Sequence, residues 1–273
     1  MSESPAANLQ ILERLLQNLG PMAVAVSGGV DSMTLAVLAG RTSDSASTMF
    51  HAVSPAVPRE ATARVCRYAD RQGWRLNLLD AGEFSTADYL NNPVDRCFYC
   101  KTRLYQAIAQ QTRATIVSGT NRDDLSDYRP GLLAAGHYGV RHPFVEAGID
   151  KATLRAIARQ LGLTDLAELP ASPCLSSRVE TGLRIQPAVL TLIHRVECYV
   201  AGQLQAQTVR CRVRHAGIVL ELDQDSLAAL SPGEQSQLAS TIDNLCQQAS
   251  GGRFLGFEPY HTGSAFLRTH RHG

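Results

Sequence analysis

The stretch Ser27-Gly28-Gly29-Val30-Asp31-Ser32 constrains this chain more than any other. It follows the apolar run Met22-Ala23-Val24-Ala25-Val26 and precedes the helical pattern Met33-Thr34-Leu35-Ala36-Val37-Leu38. A buried strand, a tight glycine turn and a helix N-terminus in that order make an anion cradle. The glycines let the backbone approach a phosphate, and the first N–H groups of the helix, with its dipole, supply positive potential. Ser27 and Ser32 add hydroxyl donors. Asp31 repels a bare phosphate unless a magnesium ion lies between them. No Gly-Lys-Ser/Thr follows, so this is not a Walker loop, whose lysine reaches the terminal phosphates. The plain alternative is an ordinary strand–turn–helix with a serine cap.

The rest of the chain alternates strands and helices. Asn8–Leu19 carries Leu9, Leu12, Leu15, Leu16 and Leu19 on one helical face. After the glycine turn comes a helix ending near Gly40, then a polar loop over Thr42–Ser47. A strand over Thr48–Val53, a helix over Arg59–Gly73 and a strand over Arg75–Leu79 follow. Next come a helix over Arg96–Gln111, a strand over Ala114–Ser118 and a helix over Lys151–Leu161. This pattern predicts an α/β fold with a doubly wound parallel sheet, whose ligands bind beyond the strand C-termini. Ser27, Ser54 and Gly119 gather there. After Gly182 the pattern changes to a helix over Ala188–Val200 and a hairpin of Thr208–Arg214 with Ile218–Leu222. A helix over Pro232–Ala249 and a strand over Arg253–Phe257 close the chain. Two domains are therefore expected, 1–182 and a smaller α+β domain, 183–273, for substrate binding or oligomerisation.

Net charge is +1 over 273 residues, so no global basic field draws the chain to nucleic acid. No apolar run nears the about 18 residues of a membrane span. Met1–Ala7 lacks the basic-then-apolar order of a signal peptide. A cytoplasmic protein is expected, so its seven cysteines are not a disulfide framework. Cys66, Cys198, Cys211 and Cys246 fall on apolar faces and read as core. Cys97 and Cys100 stand at i, i+3 at a helix start beside Arg96 and Lys101, a setting that favours thiolates. Cys174 lies in the irregular segment Pro173-Cys174-Leu175-Ser176-Ser177-Arg178. Three thiolates are one short of a structural zinc site. They fit a [4Fe–4S] cluster with one open iron, a catalytic zinc, a redox pair with a bystander, or three unrelated thiols.

Three weaker signals remain. In Ser118-Gly119-Thr120-Asn121-Arg122-Asp123-Asp124, Gly119 permits close approach to a nucleotide, and the two carboxylates suit magnesium or cap the next segment. Arg210, Arg212 and Arg214 share a strand face, fitted to a phosphate or simply solvated. Glu197 carries no signal of its own.

SGGVDS resembles the PP-loop of ATP pyrophosphatases, which have an adenine nucleotide alpha hydrolase-like fold. With NPVDRCFYCK and the block from Ser118 through Asp127-Tyr128-Arg129-Pro130-Gly131 to PASPCLSSR, the chain resembles the LarE family of ATP-dependent sulfur transferases from about Asn8 to Phe266. The resemblance implies adenylation of a carboxylate on a pyridinium dicarboxylate mononucleotide, followed by displacement of AMP by sulfur, for nickel-pincer cofactor synthesis. It implies ATP held by Ser27, Gly28, Gly29, Asp31, Ser32, Ser54, Gly119 and Thr120, with Mg²⁺ on Asp31, Asp123 and Asp124. Asp31 and Cys174 are then the catalytic residues. Sulfur comes either from Cys174 itself or from a [4Fe–4S] cluster on Cys97, Cys100 and Cys174. Arg178, Arg212 and Arg214 take the substrate phosphate. Relatives tend to carry arginine where His261 stands. A small-molecule mononucleotide as partner, no membrane, no nucleic acid and a homo-oligomer are expected. Three alternatives stay open: a PP-loop tRNA thiolase, an NAD or GMP synthetase-like ligase, and a non-catalytic nucleotide-binding regulator.

Overall fold

The structure, a computed structural model, describes residues 5–42, 47–126, 130–249 and 252–266. Most of the polar loop over Thr42–Ser47, the triplet Asp127-Tyr128-Arg129, and His270 and His272 lie outside the described residues. The chain divides into two compact units, one of residues 1–85 and 95–172, the other of 86–94 and 173–273.

The first unit holds α1 (Pro5–Leu19), β1 (Met22–Ala25), α2 (Val30–Thr42), β2 (Thr48–Ala52), α3 (Arg59–Gln72), β3 (Arg75–Leu79), α4 (Arg96–Gln111), β4 (Thr115–Ser118), α5 (Pro130–His137) and α6 (Lys151–Gln160). Its sheet runs β3-β2-β1-β4 with every pairing parallel. β1 is central and buried along its whole length. Successive side chains alternate between two cores. Met22 and Val24 join α1, α2 and α6 on one face, whereas Ala23 and Ala25 join Tyr105, Ile108, Ala134 and Ala135 from α4 and α5 on the other. The expected α/β architecture is thus present. The strands build outward from β1 to β3 before the chain returns to β4 on the opposite side of β1. The topological switch point therefore falls between the C-terminal ends of β1 and β4, where open sheets of this kind bind ligands.

α2 is buried from Ser32 through Ala39, so it is a core helix with no polar face. Full burial of Leu35 and of Leu38 each contributes about 1.5–3 kcal/mol. The helix ends at Thr42, near Gly40 as expected. Gly40 is a packing glycine rather than a cap, since a Cβ there would stand 2.9 Å from the Trp74 indole nitrogen. Gly119 has a similar job at closer range. Its Cβ would meet the Ser32 backbone nitrogen at 2.6 Å and the Asp31 carbonyl carbon at 2.8 Å. What Gly119 approaches is therefore the first turn of α2.

In the second unit, β5 (Val209–Arg214) and β6 (Gly217–Leu222) form the expected hairpin, and β7 (Phe254–Pro259) pairs parallel to β6. α7 (Pro187–Gln203) and α8 (Pro232–Gln248) accompany them. α8 opens with a complete capping box, Ser231 bonding the Glu234 N–H and Glu234 bonding back. Short helices over Ala87–Leu90, Pro143–Glu146, Thr164–Ala167 and Gln224–Ala229 were not legible beforehand, being too brief to show periodicity. The segment 86–94 is tied into this unit through buried Asn92. Its backbone is left-handed (φ 52°), and its amide donates to the carbonyls of Val179 and Glu180. Among the described residues, no helix is long and apolar enough to cross a membrane.

The glycine contacts yield a stability prediction. Gly119→Ala should destabilise the protein by about 1–3 kcal/mol through overpacking against backbone that cannot yield. Gly136→Ala, in α5 with open space around it, should be neutral or stabilising by about 0.5–1 kcal/mol. Urea unfolding of both variants checks the contrast.

Candidate functional site

The glycine turn sits at the end of β1, and its conformation is held from three directions. The Ser32 hydroxyl accepts from the Ser27 N–H at 3.0 Å, lies 3.0 Å from the Ser27 hydroxyl and donates to the Gly29 carbonyl at 3.2 Å. Gly28 takes φ 84°, and a Cβ there would lie 2.9 Å from the Ala61 carbonyl oxygen. Only glycine meets both demands. Arg64 of α3 donates to the Gly28 carbonyl at 2.7 Å, which satisfies that acceptor. Beneath the turn, buried His51 bridges the Val26 carbonyl (2.8 Å) and the Thr62 hydroxyl (2.9 Å). Burial pushes its imidazole pKa below the ordinary value, with the Val26 contact opposing. Ser54, after β2, is half-buried and its hydroxyl accepts from the Ala56 N–H at 3.3 Å.

On the far side of β1, Ser118 and Gly119 end β4. The Ser118 hydroxyl contacts the Thr120 hydroxyl at 3.1 Å and the His142 Nδ1 at 2.8 Å. Burial also lowers the His142 pKa. Asp123 and Asp124 lie in a short 3-10 helix, where Asp124 accepts from the Asn121 N–H (3.1 Å) and Asn121 accepts from the Asp123 N–H (3.0 Å). Asp124 thus takes part in a capping box, and the Asp123 carboxylate accepts the Lys151 N–H at 3.1 Å.

Asp31, in the first turn of α2, receives the Lys151 ammonium on both oxygens at 2.6 Å. Burial raises the Asp31 pKa and outweighs the Lys151 hydrogen bond that lowers it. Nothing in the sequence marked Lys151. It reads there as the first residue of an amphipathic helix, and 120 positions separate the pair.

The α4 N-terminus carries the Cys-x-x-Cys. Cys97 is exposed and Cys100 half-buried, one turn apart. Phe98 packs edge-on against His137, and α5 comes so close that a Cβ on Gly131 would stand 3.0 Å from the Lys101 side chain. Cys174 belongs to the second unit, is half-buried and begins a 3-10 turn. Cys211 and Cys246 are buried, as expected of core thiols. Cys198 is not: it is exposed on α7, 3.7 Å from both ring nitrogens of His194.

Arg178, Arg212 and Arg214 of the second unit are engaged. Arg178, 2% exposed, is gripped by Glu197 at 3.0 Å on each carboxylate oxygen, and it donates to the carbonyls of Pro173 and Cys174. It thereby fixes the Cys174 backbone. Arg212 is buried against Glu221 (2.8 Å) and the Ser177 carbonyl (3.1 Å), and its guanidinium lies 5.9 Å from the Tyr260 ring centroid. Arg214 bonds Glu221 at 3.0 Å and Glu258 at 2.9 Å. A solvated strand face is excluded for Arg212. Glu197 and Glu221 were invisible beforehand because each is a single carboxylate in an otherwise apolar pattern. Arg210 stands close enough to Arg178 and Arg212 for their charges to add to the burial that lowers its pKa. Such a group of guanidiniums suits a phosphate or carboxylate ligand.

No family model matches the chain. Comparison with individual proteins is more informative. An uncharacterized Synechocystis protein is 32% identical over 225 residues, covering 81% of this chain and 83% of that one. An uncharacterized protein of Methanocaldococcus jannaschii is 23% identical over 216 residues. The pyridinium-3,5-bisthiocarboxylic acid mononucleotide synthase of Lactiplantibacillus plantarum, a LarE protein, is 31% identical over 218 residues, covering 77% of each chain. The chain belongs to the LarE family. Its parallel α/β unit is consistent with a PP-loop-type fold, and membership implies an enzyme, a sulfur transferase.

In this LarE-family chain the Arg178–Glu197 pair has a measurable consequence. Glu197→Ala leaves a guanidinium buried and uncompensated, and should cost about 3–5 kcal/mol. A lowered urea midpoint checks it, with Cys174 more reactive to alkylation because its backbone anchor is loosened.

Proposed function

We propose that this protein is an ATP-dependent sulfur transferase that converts a carboxylate of a pyridinium dicarboxylate mononucleotide to a thiocarboxylate for nickel-pincer cofactor synthesis. The observation that carries the reading is the braced glycine turn at the sheet's switch point, with Asp31 in its first helical turn. It lies in a chain that belongs to the LarE family.

A carboxylate is a poor electrophile because oxide would have to leave. Adenylation replaces oxide with AMP, which leaves readily. Turn N–H groups, with the serine hydroxyls of Ser27 and Ser32 beside them, would stabilise charge developing on the departing pyrophosphate. Magnesium fits the hard oxygen set of Asp31, Asp123 and Asp124, and when bound it supplies charge neutralisation to the phosphates. Ser54, Gly119 and Thr120 would border the nucleotide. In the second unit, Arg212 and Arg214 would hold the substrate phosphate, with Arg178 near the site and positioning the Cys174 loop.

For the sulfur we propose Cys174, either as the atom transferred or as a ligand beside Cys97 and Cys100. The exposure of Cys97 and the helix dipole at both Cys97 and Cys100 fit thiolate ligands. A [4Fe–4S] cluster held by the three cysteines, when bound, supplies sulfide as the nucleophile.

Anaerobically purified protein, given ATP, Mg²⁺ and pyridinium-3,5-dicarboxylic acid mononucleotide, should exchange one substrate oxygen for sulfur, read by mass spectrometry. Cys174→Ala should abolish exchange while leaving ATP binding intact. About four irons per chain, lost in Cys97→Ala, would identify the cluster route, and a Cys174 converted to dehydroalanine would identify sacrifice. Exchange undiminished in Cys174→Ala would refute the assignment.

A further inference from the structure

Lys151 is given no role above, yet it forms an ion pair with Asp31 in the first turn of α2. Its ammonium sits 2.6 Å from each Asp31 oxygen, centred between them. That symmetric placement is where a cation chelated by the carboxylate would sit. The backbone of Lys151 is fixed: its N–H donates to Asp123, and the preceding Asp150 caps α6 by accepting from the Thr153 N–H at 2.8 Å. Its stem is not enclosed. The Lys151 side chain is one-third exposed (33%) and that of Asp31 nearly so (28%). The movable part is therefore a flexible four-carbon arm carrying a point charge, on a rigid anchor.

Charge balance explains why such an arm is needed. Asp31 is drawn out of water, with the Asp124 charge adding to the strain and Lys151 opposing it. Left alone, this carboxylate would repel a polyphosphate arriving at the glycine turn. A divalent cation chelated by both oxygens would take the position the ammonium holds.

We propose that Lys151 is an exchangeable counter-ion of the nucleotide site. It neutralises Asp31 until a nucleotide-bound divalent cation takes the carboxylate, and the displaced ammonium then passes to the phosphates. This rests on the assignment of the glycine turn to ATP. It adds a second residue that senses whether the metal has arrived, and it explains how a site built around an aspartate stays receptive to an anion.

The test reads binding rather than turnover. Mn²⁺ alone, followed by its paramagnetic resonance signal, should bind the wild type weakly and Lys151→Gln about tenfold more tightly, since the freed carboxylate becomes a ligand. ATP in the presence of EDTA should bind Lys151→Gln about tenfold more weakly than wild type, because Asp31 is then unscreened. Asp31→Asn/Lys151→Gln should lose the Mn²⁺ gain. Lys151→Arg, which keeps the pair, should retain weak Mn²⁺ binding and guards against misfolding of the glutamine variant. Wild type that binds ATP, with both affinities unchanged in Lys151→Gln, overturns the exchange and leaves the nucleotide assignment standing. Tight Mn²⁺ binding by Lys151→Arg overturns it too. A wild type that binds no ATP, with or without Mn²⁺, removes both.

Discussion

A backbone-to-backbone approach governs the first unit. Gly119, at the end of β4, lies so close to the first turn of α2 that one extra carbon would fall 2.6 Å from the Ser32 nitrogen. Strand register alone brings the ends of β1 and β4 side by side, Ala25 opposite Ser118. It does not bring the helix that follows β1 down onto the segment that follows β4. The missing side chain does. Asp31, the glycine turn and the Ser118–Thr120 segment consequently share one edge of the sheet. The buried run of α2, Ser32 through Ala39, then fixes that edge, from which it cannot shift without exposing core.

The second constraint is electrostatic. Both units carry charges held inside and answered by opposite charge. Asp31 faces Lys151 in the first, while Arg178 faces Glu197 and Arg212 faces Glu221 in the second. The two buried pairs of the second unit add little net stability compared with apolar packing, but losing one partner is expensive. Their value lies in placing strong charges at fixed points. Arg178 is the clearest case. One guanidinium spans a carboxylate and the carbonyls of Pro173 and Cys174, so a charge helps set the loop of the thiol where it enters its 3-10 turn.

Much of the fold was legible because hydrophobic period and turn chemistry are local. The strands of the sheet, their α/β alternation, the hairpin around His215-Ala216-Gly217 and the long helices follow from patterns a few residues wide. The short helices do not, and the packing role of Gly40 shows only once Trp74 is in place. At the site, SGGVDS announced itself. Its partners Lys151 and Arg64 did not, since each meets the turn through tertiary contact from another helix. Glu197 and Glu221 were hidden for the same reason. Cys198 shows the reverse failure: an apolar sequence neighbourhood suggested burial, yet it faces outward on α7.

The chemistry proposed for this LarE-family chain is cleavage of ATP between its α- and β-phosphates at the glycine turn. Phosphorus NMR of ATP incubated with Mg²⁺ and the pyridinium dicarboxylate mononucleotide reads that bond directly. The account predicts AMP and pyrophosphate in equal amounts, formed only when the carboxylate substrate is present. ADP with inorganic phosphate, or AMP and pyrophosphate formed at the same rate without the substrate, would contradict it.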